Sequence, residues 1–253
     1  MLNRSFLLIA LLGASSIYAS DYSISVSADT TKFDYAETDS SGSLLDTEQA
    51  DFANVSGLTV TIEPRYEGLY FSAAYATGNT DYVGSLLHSG NPYGSYKSTT
   101  LNEISDYNFG YKATASDPHG AWEIPVTLGI GYRRWLRQIG YDELYEWGYY
   151  NVGIGLHYRM SSTMMIGADA SYRKAFNAQM YENLNGYTYN LNNVYGYKIT
   201  VPFEVKLSQT LSTFIAYNYE FWNIDKSNTI NGFYEPDSET NNETLSFGLK
   251  LNF

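Results

Sequence analysis

The sequence predicts an all-β fold, a closed antiparallel transmembrane β-barrel of ten strands, and three observations carry the prediction. Apolar residues alternate with small or polar ones at period two in segment after segment, the mark of strands with one apolar and one polar face. The chain holds 26 Tyr, 12 Phe, 4 Trp and 21 Gly yet is hydrophilic on average, so its apolar residues are dispersed along strands and not gathered into helical spans. Short and long connections alternate along the chain, as they do when neighbouring strands wind up and down around a barrel.

At 253 residues one domain is the default. Fifteen basic and 27 acidic residues give a formal charge of −12, which disfavours nucleic acid and anionic membrane surfaces as partners, since both call for a basic field. With no cysteine, a disulfide scaffold, thiol chemistry and the usual structural zinc sites are excluded.

The elements follow in order. Residues 1–19 carry Arg4, then Phe6 to Leu12 as an apolar run, then small residues up to Ala19. This pattern predicts a secretory signal peptide cut after Ala19, and the run is too short for a membrane anchor. The barrel domain is then 20–253. Its first strand sets Tyr22, Ile24, Val26 and Ala28 against Ser23, Ser25 and Ser27, and reaches Phe33 and Tyr35 through a shift in alternation. The second, 55–66, opposes Leu58, Val60, Ile62 and Pro64 to Thr59, Thr61, Glu63 and Arg65; a third covers 69–78. Tyr107, Phe109, Tyr111 and Ala113 oppose Asn108, Gly110 and Lys112 in the fourth, and Trp122 to Tyr132 oppose Glu123, Thr127, Gly129, Gly131 and Arg133 in the fifth. Residues 144–160 place Tyr150, Val152, Ile154, Leu156 and Tyr158 against Asn151, Gly153, Gly155, His157 and Arg159. Residues 163–176 place Met164, Ile166, Ala168, Ala170 and Tyr172 against Gly167, Asp169, Ser171 and Arg173. In the eighth strand, Tyr195 to Leu207 alternate with Gly196, Lys198, Thr200, Pro202, Glu204, Lys206 and Ser208. The ninth lies near 210–223 without a clear register, and the tenth runs from Leu245 to the last residue. Ten strands fit this count better than eight or twelve.

Glu67-Gly68, 117–120, Ser161-Ser162 and Ser208-Gln209 read as tight turns, and 36–54, 81–103, 134–143, 177–193 and 225–242 as long polar loops. The last strand sets Leu245, Phe247, Leu249, Leu251 and Phe253 on one face. An aromatic final residue on such a strand resembles the terminal signature by which bacterial outer-membrane barrels are recognised for assembly. The resemblance implies a cell outer-membrane location with periplasmic turns and external loops. It also implies outer-membrane lipids and the barrel assembly machinery as partners.

Charged residues facing lipid would be costly, so Glu63, Arg65, Lys112, Glu123, Arg133, His157, Arg159, Asp169, Arg173, Lys198, Glu204, Lys206 and Lys250 are expected to point inward. Both signs occur, and ten strands enclose little space, so these groups are expected to pair as a polar interior. Tyr and Trp suit the water–lipid boundaries; the candidates are Tyr22, Tyr66, Tyr107, Trp122, Tyr132, Trp135, Tyr145, Trp147, Tyr149, Tyr150, Tyr158, Tyr172, Tyr217, Phe221, Trp222 and Phe253. Loop 36–54 (Glu37, Asp39, Asp46, Glu48, Asp51) and loop 225–242 (Asp225, Glu235, Asp237, Glu239) read as solvated acidic loops without the residue order of a calcium loop. With loop 81–103, which holds His88, Pro92, Tyr93 and Tyr96, they are the candidate contacts for an extracellular ligand.

Over residues 55–220 the ten-strand layout resembles the omptin family of outer-membrane proteases. That resemblance implies an acidic pair facing an Asp–His pair near the external opening. The chain departs from the pattern: Asp117 and His119 fall in a periplasmic turn, His157 and Asp169 in the wall, and His88 and Asp81 do not have the family spacing. No omptin residue carries over. There is no GxSxG, HExxH or phosphate-binding glycine loop, and His157 with Ser171 is the remaining formal hydrolase pair. Three scattered histidines make no metal site, and no cofactor is implied. The leading functional expectation is a small nonenzymatic outer-membrane barrel with a structural or loop-binding role. The alternatives are a narrow solute or ion channel and a protease or lipid-modifying hydrolase; oligomeric state is left open.

Overall fold

A computed structural model describes residues 22–85 and 92–253; the expected signal peptide 1–19 and His88 lie outside the described residues. The strands are β1 (Tyr22–Thr38), β2 (Leu44–Pro64), β3 (Glu67–Gly84), β4 (Tyr96–Ser116), β5 (Trp122–Gln138), β6 (Asp142–Arg159), β7 (Met164–Glu182), β8 (Tyr187–Asn190), β9 (Val194–Lys206), β10 (Leu211–Ile224) and β11 (Asp237–Asn252). Ten of them close a ring, with β6 on β7, β7 on β9 and β11 back on β1, every pair antiparallel. The short β8 pairs with β7 alone, as a ribbon at the rim. Closure leaves no unpaired wall edge, the condition a sheet must meet in hydrocarbon.

Both chain ends of the barrel and the connections 65–66, 117–121, 160–163 and 207–210 lie at one end, the turn end. The connections 39–43, 139–141, 183–193 and 225–236 lie at the other, the loop end, together with the described residues 85 and 92–95 between β3 and β4. A strand needs about 9–11 residues to cross a bilayer core. The wall strands run from 13 to 21 residues, so most project well past it. The apolar belt sits on the turn-end half: Leu58, Leu128 and Phe247 are 59%, 67% and 58% exposed on the outer face. Tyr22, Trp122, Tyr158 and Phe253 rim its lower edge, and Tyr107, Tyr132 and Tyr217 its upper one.

Above the belt the two faces exchange character. In β1, Ile24 and Val26 face out beside inward Ser23 and Ser27; beyond Thr30 the outer residues are Lys32 and Asp34 and the inner ones Phe33 and Tyr35. The pairing of β1 with β11 runs unbroken through this region. On the β2 side the register does break between Thr31 and Phe33, where residues 51–54 of β2 bulge out. Since β1 keeps its odd residues inward throughout, the shift in apolar alternation expected at Phe33 is a change of environment: outside the hydrocarbon the outer face meets water and the lumen becomes a protein core. The same exchange buries Trp135 on β5, Tyr145, Trp147 and Tyr149 on β6, Ala178 and Met180 on β7, and Trp222 and Ile224 on β10.

This exchange corrects two expectations. Trp135, Tyr145, Trp147, Tyr149 and Trp222 are not interfacial anchors; each is at most 1% exposed inside the barrel. The loops 36–54, 81–103 and 134–143 are in large part strand, and the last shrinks to Ile139–Tyr141 between β5 and β6. Glu67 and Gly68 already belong to β3, which leaves Arg65 and Tyr66 as the turn.

Candidate functional site

The lumen is built in layers. At the turn end a cavity of about 610 Å³ is lined by all thirteen inward-expected side chains, from Glu63 to Lys250. Near its mouth Lys112 Nζ lies 2.6 Å and Lys250 Nζ 3.2 Å from the two oxygens of Glu63, and Lys250 also reaches Glu204 at 3.4 Å. Arg159 pairs with Glu123 at 2.6 Å. His157 and Asp169 come from paired strands β6 and β7, with the His157 Nε2 2.9 and 3.1 Å from the two carboxylate oxygens. Arg133 and Arg173 form the roof: Arg133 lies 2.8 Å and Arg173 2.7 Å from separate oxygens of Glu220. Asp106 joins them at 3.3 Å from Arg133 and accepts a 2.6 Å hydrogen bond from the Tyr149 hydroxyl.

Eight of the thirteen residues are thus brought into ion pairs, His157 and Asp169 are joined by hydrogen bonds, and three residues meet no charged partner among the described residues. Arg65 in its turn stacks on Tyr66, with Cζ 5.1 Å from the ring centre, and Lys198 and Lys206 have no carboxylate at ion-pair distance among the described residues. Sequence reading missed the two acidic partners at the roof. Asp106 was not singled out on β4 although it shares the parity of Asn108 and Lys112, and Glu220 lay in the strand whose register was unclear. The register is set by the pairing of Glu220 with Lys198 and Asn242 on the flanking strands.

Above the roof lies an aromatic layer. The Trp147 and Trp222 rings meet edge to face with centroids 5.1 Å apart, Tyr149 packs on Trp222 at 5.7 Å, and Trp135 stacks on Tyr145 at 4.9 Å. Phe33 and Tyr35 close on Trp135 from β1. Gly131 is required here, because a Cβ would collide with the Tyr149 ring where it crosses the wall.

The last layer surrounds Arg137, whose side chain is wholly buried. Its Nε and Nη2 donate to Glu48 at 2.9 and 2.8 Å, and its Nη1 to Glu37 at 3.1 Å and Glu143 at 2.7 Å. Asp46 lies 3.7 Å away, and the guanidinium stacks on Tyr35 with Cζ 4.1 Å from the ring centre. Glu48 also accepts from Thr80 and Asn102, both at 2.7 Å, and Asn102 accepts from the Trp135 indole at 2.7 Å. Glu235 descends from the connection 225–236, where it accepts from the Tyr145 hydroxyl and its own N–H donates to Ser227. The expected solvated acidic loops are therefore corrected: Glu37, Asp46, Glu48 and Glu235 are buried, while Asp39 and Asp51 stay at the surface.

One arginine cannot neutralise five buried carboxylates, so some of them must hold protons. Burial, with the Glu37 carboxylate beside it, pushes Glu143 up to about 7, against the pull of Arg137. Burial and then Glu37 raise Asp46 and Glu235 well above the carboxylate range in the same way. Burial likewise raises the phenols of Tyr35 and Tyr145, so both remain hydrogen-bond donors to the acids around them.

The fold and the apolar belt define the class: a closed transmembrane β-barrel of the outer-membrane type. Among solved structures the chain is similar to the outer membrane protease OmpT from Escherichia coli, with a TM-score of 0.60 and 13% identity over 94% of this chain and 98% of that one. It is also similar to the transport unit of the autotransporter AIDA-I from Escherichia coli (TM-score 0.46, 10% identity, 98% and 97% covered). A third similar structure is OprG from Pseudomonas aeruginosa (TM-score 0.42, 11% identity, 93% and 96% covered). No family model and no curated protein matches the sequence.

Proposed function

We propose that the protein is a non-conducting outer-membrane barrel that acts through its loop-end surface, outside the cell, as a binding platform for basic partners. The observation that carries this reading is the filled upper lumen. A solute passing through would have to displace the stacked indoles and the Arg137 cluster together, and a packed core yields only at a cost of several kcal/mol per large side chain. This weighs against the narrow-channel alternative and leaves the projecting rim as the part that meets the medium.

The rim is stiff, because it is made of paired strand and not loop, and it is acidic on its outer face. Asp51, Asp81, Glu103 and Glu239 project there with no cation at ion-pair distance among the described residues. Exposed Tyr93, Tyr181, Leu184 and Tyr234 lie at the same end and offer apolar contact beside the charge. Such a surface favours a cationic protein or peptide. Both described histidines, His119 and His157, lie toward the turn end, so they do not assemble the acid–histidine arrangement at the opening that the omptin resemblance implied.

The test is binding of a labelled oligolysine peptide to the refolded barrel in neutral liposomes. Salt-sensitive binding that falls at least severalfold when Asp51, Asp81, Glu103 and Glu239 are replaced by their amides is expected. Binding no greater than to empty liposomes, or unchanged in that variant, would refute the platform.

A further inference from the structure

We propose that the turn-end cavity binds a small oxyanion, a phosphate or carboxylate carried on a hydroxylated solute, with Lys198 as the cation that holds it. Lys198 faces inward on β9, directly across from Glu220 on β10. A cross-strand Lys–Glu couple ordinarily pairs. Here both oxygens of Glu220 are already taken, one by Arg133 at 2.8 Å and the other by Arg173 at 2.7 Å, and Asp106 is shared by Arg133 and the Tyr149 hydroxyl. Asp29, a further carboxylate in the chamber, accepts from the hydroxyls of Ser27 and Thr59 at 2.8 and 2.6 Å. The lysine is left as an ammonium inside the barrel without a counter-ion at contact, an arrangement that costs free energy until an anion meets it.

Three further features point the same way. Beside Lys198 at the roof, the Nε atoms of Arg133 and Arg173 are buried without an acceptor among the described residues. Hydroxyls and amides fill the wall between the charges, among them Thr200, Asn218, Ser246 and Thr59, as recognition of a hydroxylated body requires. At the mouth, Arg65 and Lys206 stand without carboxylate partners. Eight basic and seven acidic side chains line the cavity in a chain whose net charge is −12. The chamber is therefore the one described compartment that would draw in an anion, and low-dielectric walls focus that field. Its volume of about 610 Å³ lies in the range of small-molecule sites, about 300–1,000 Å³.

The experiment is calorimetric titration of inorganic phosphate into the refolded full chain in nonionic micelles at low ionic strength, with glucose as the uncharged control. Saturable one-to-one binding is expected, weakened about tenfold or more in Lys198→Gln, the loss of one charge-assisted contact, and retained in Lys198→Arg. No saturable heat, or equal affinity in Lys198→Gln, would overturn the proposal. Should Lys198→Gln fail to fold, 13C-lysine spectra of the wild type decide: phosphate must move the Lys198 resonance, identified by its loss in Lys198→Arg, and an unmoved resonance would overturn it.

Discussion

Arg137 is the residue on which the upper lumen turns. Its guanidinium touches Glu37, Glu48 and Glu143 and stacks on Tyr35, so Arg137→Ala would leave buried carboxylates without their cation. Breaking a buried ion pair from one side costs about 3–5 kcal/mol. The variant is expected to lose that order of stability in urea unfolding followed by the heat-dependent gel shift, whereas His157→Ala, on the cavity wall, is expected to lose far less. The same cluster sets a pH dependence. The folded protein holds the Glu143 proton up to about 7, above the ordinary carboxylate value that the unfolded chain would show. Between those values the folded state binds more protons than the unfolded one, so stability is full below the ordinary value and falls as pH rises toward 7. Glu143→Gln is expected to flatten part of that fall in urea midpoints measured from pH 5 to 8; an unchanged slope would show that Glu143 does not carry it. The inward set near the membrane was legible in the sequence because an outward charge there would meet lipid. The Arg137 set was not: Glu37, Asp46 and Glu235 look like loop acids, and no pattern in one chain announces that strands so distant in sequence bring them to one arginine.

At the scale of elements, the belt and the projection obey different rules along one strand. A charge on the outer face at the middle of the belt, as in Leu128→Arg, is expected to cost about 2–4 kcal/mol and to reduce assembled barrel in gel-shift assays. Leu44→Arg lies on the rim beyond the belt and is expected to assemble as the wild type does. Equal behaviour of the two would contradict the placement of the belt. Period-two alternation made ten strands visible wherever one face was apolar and the other polar, which is the part in lipid. It failed above the belt, where outward charge and inward aromatics reverse the sign, and the reversed stretches read as polar loops. The parity itself was available: Trp135 and Arg137 share the face of Arg133, and Tyr145, Trp147 and Tyr149 share that of Asn151. Composition suggested interfacial anchors for these rings, and parity would have placed them inside. The β2 strand adds an irregularity of its own, a break in register with both β1 and β3 around residues 50–54, where Asp51 and Asn54 are residues that favour turns.

In the whole molecule an open lower chamber, a roof of ion pairs, an aromatic layer and a buried charge cluster stack within one barrel. On the function proposed above, a lumen filled in this way does not run through. Single-channel recording of the refolded barrel domain, residues 20–253, in a planar bilayer decides the matter, with the gel shift confirming that the inserted sample is folded. No discrete openings are expected from the wild type, and openings are expected in a variant whose plug is hollowed by Trp147→Ala, Trp222→Ala and Arg137→Ala together. Reproducible openings from verified folded wild-type protein would contradict that reading.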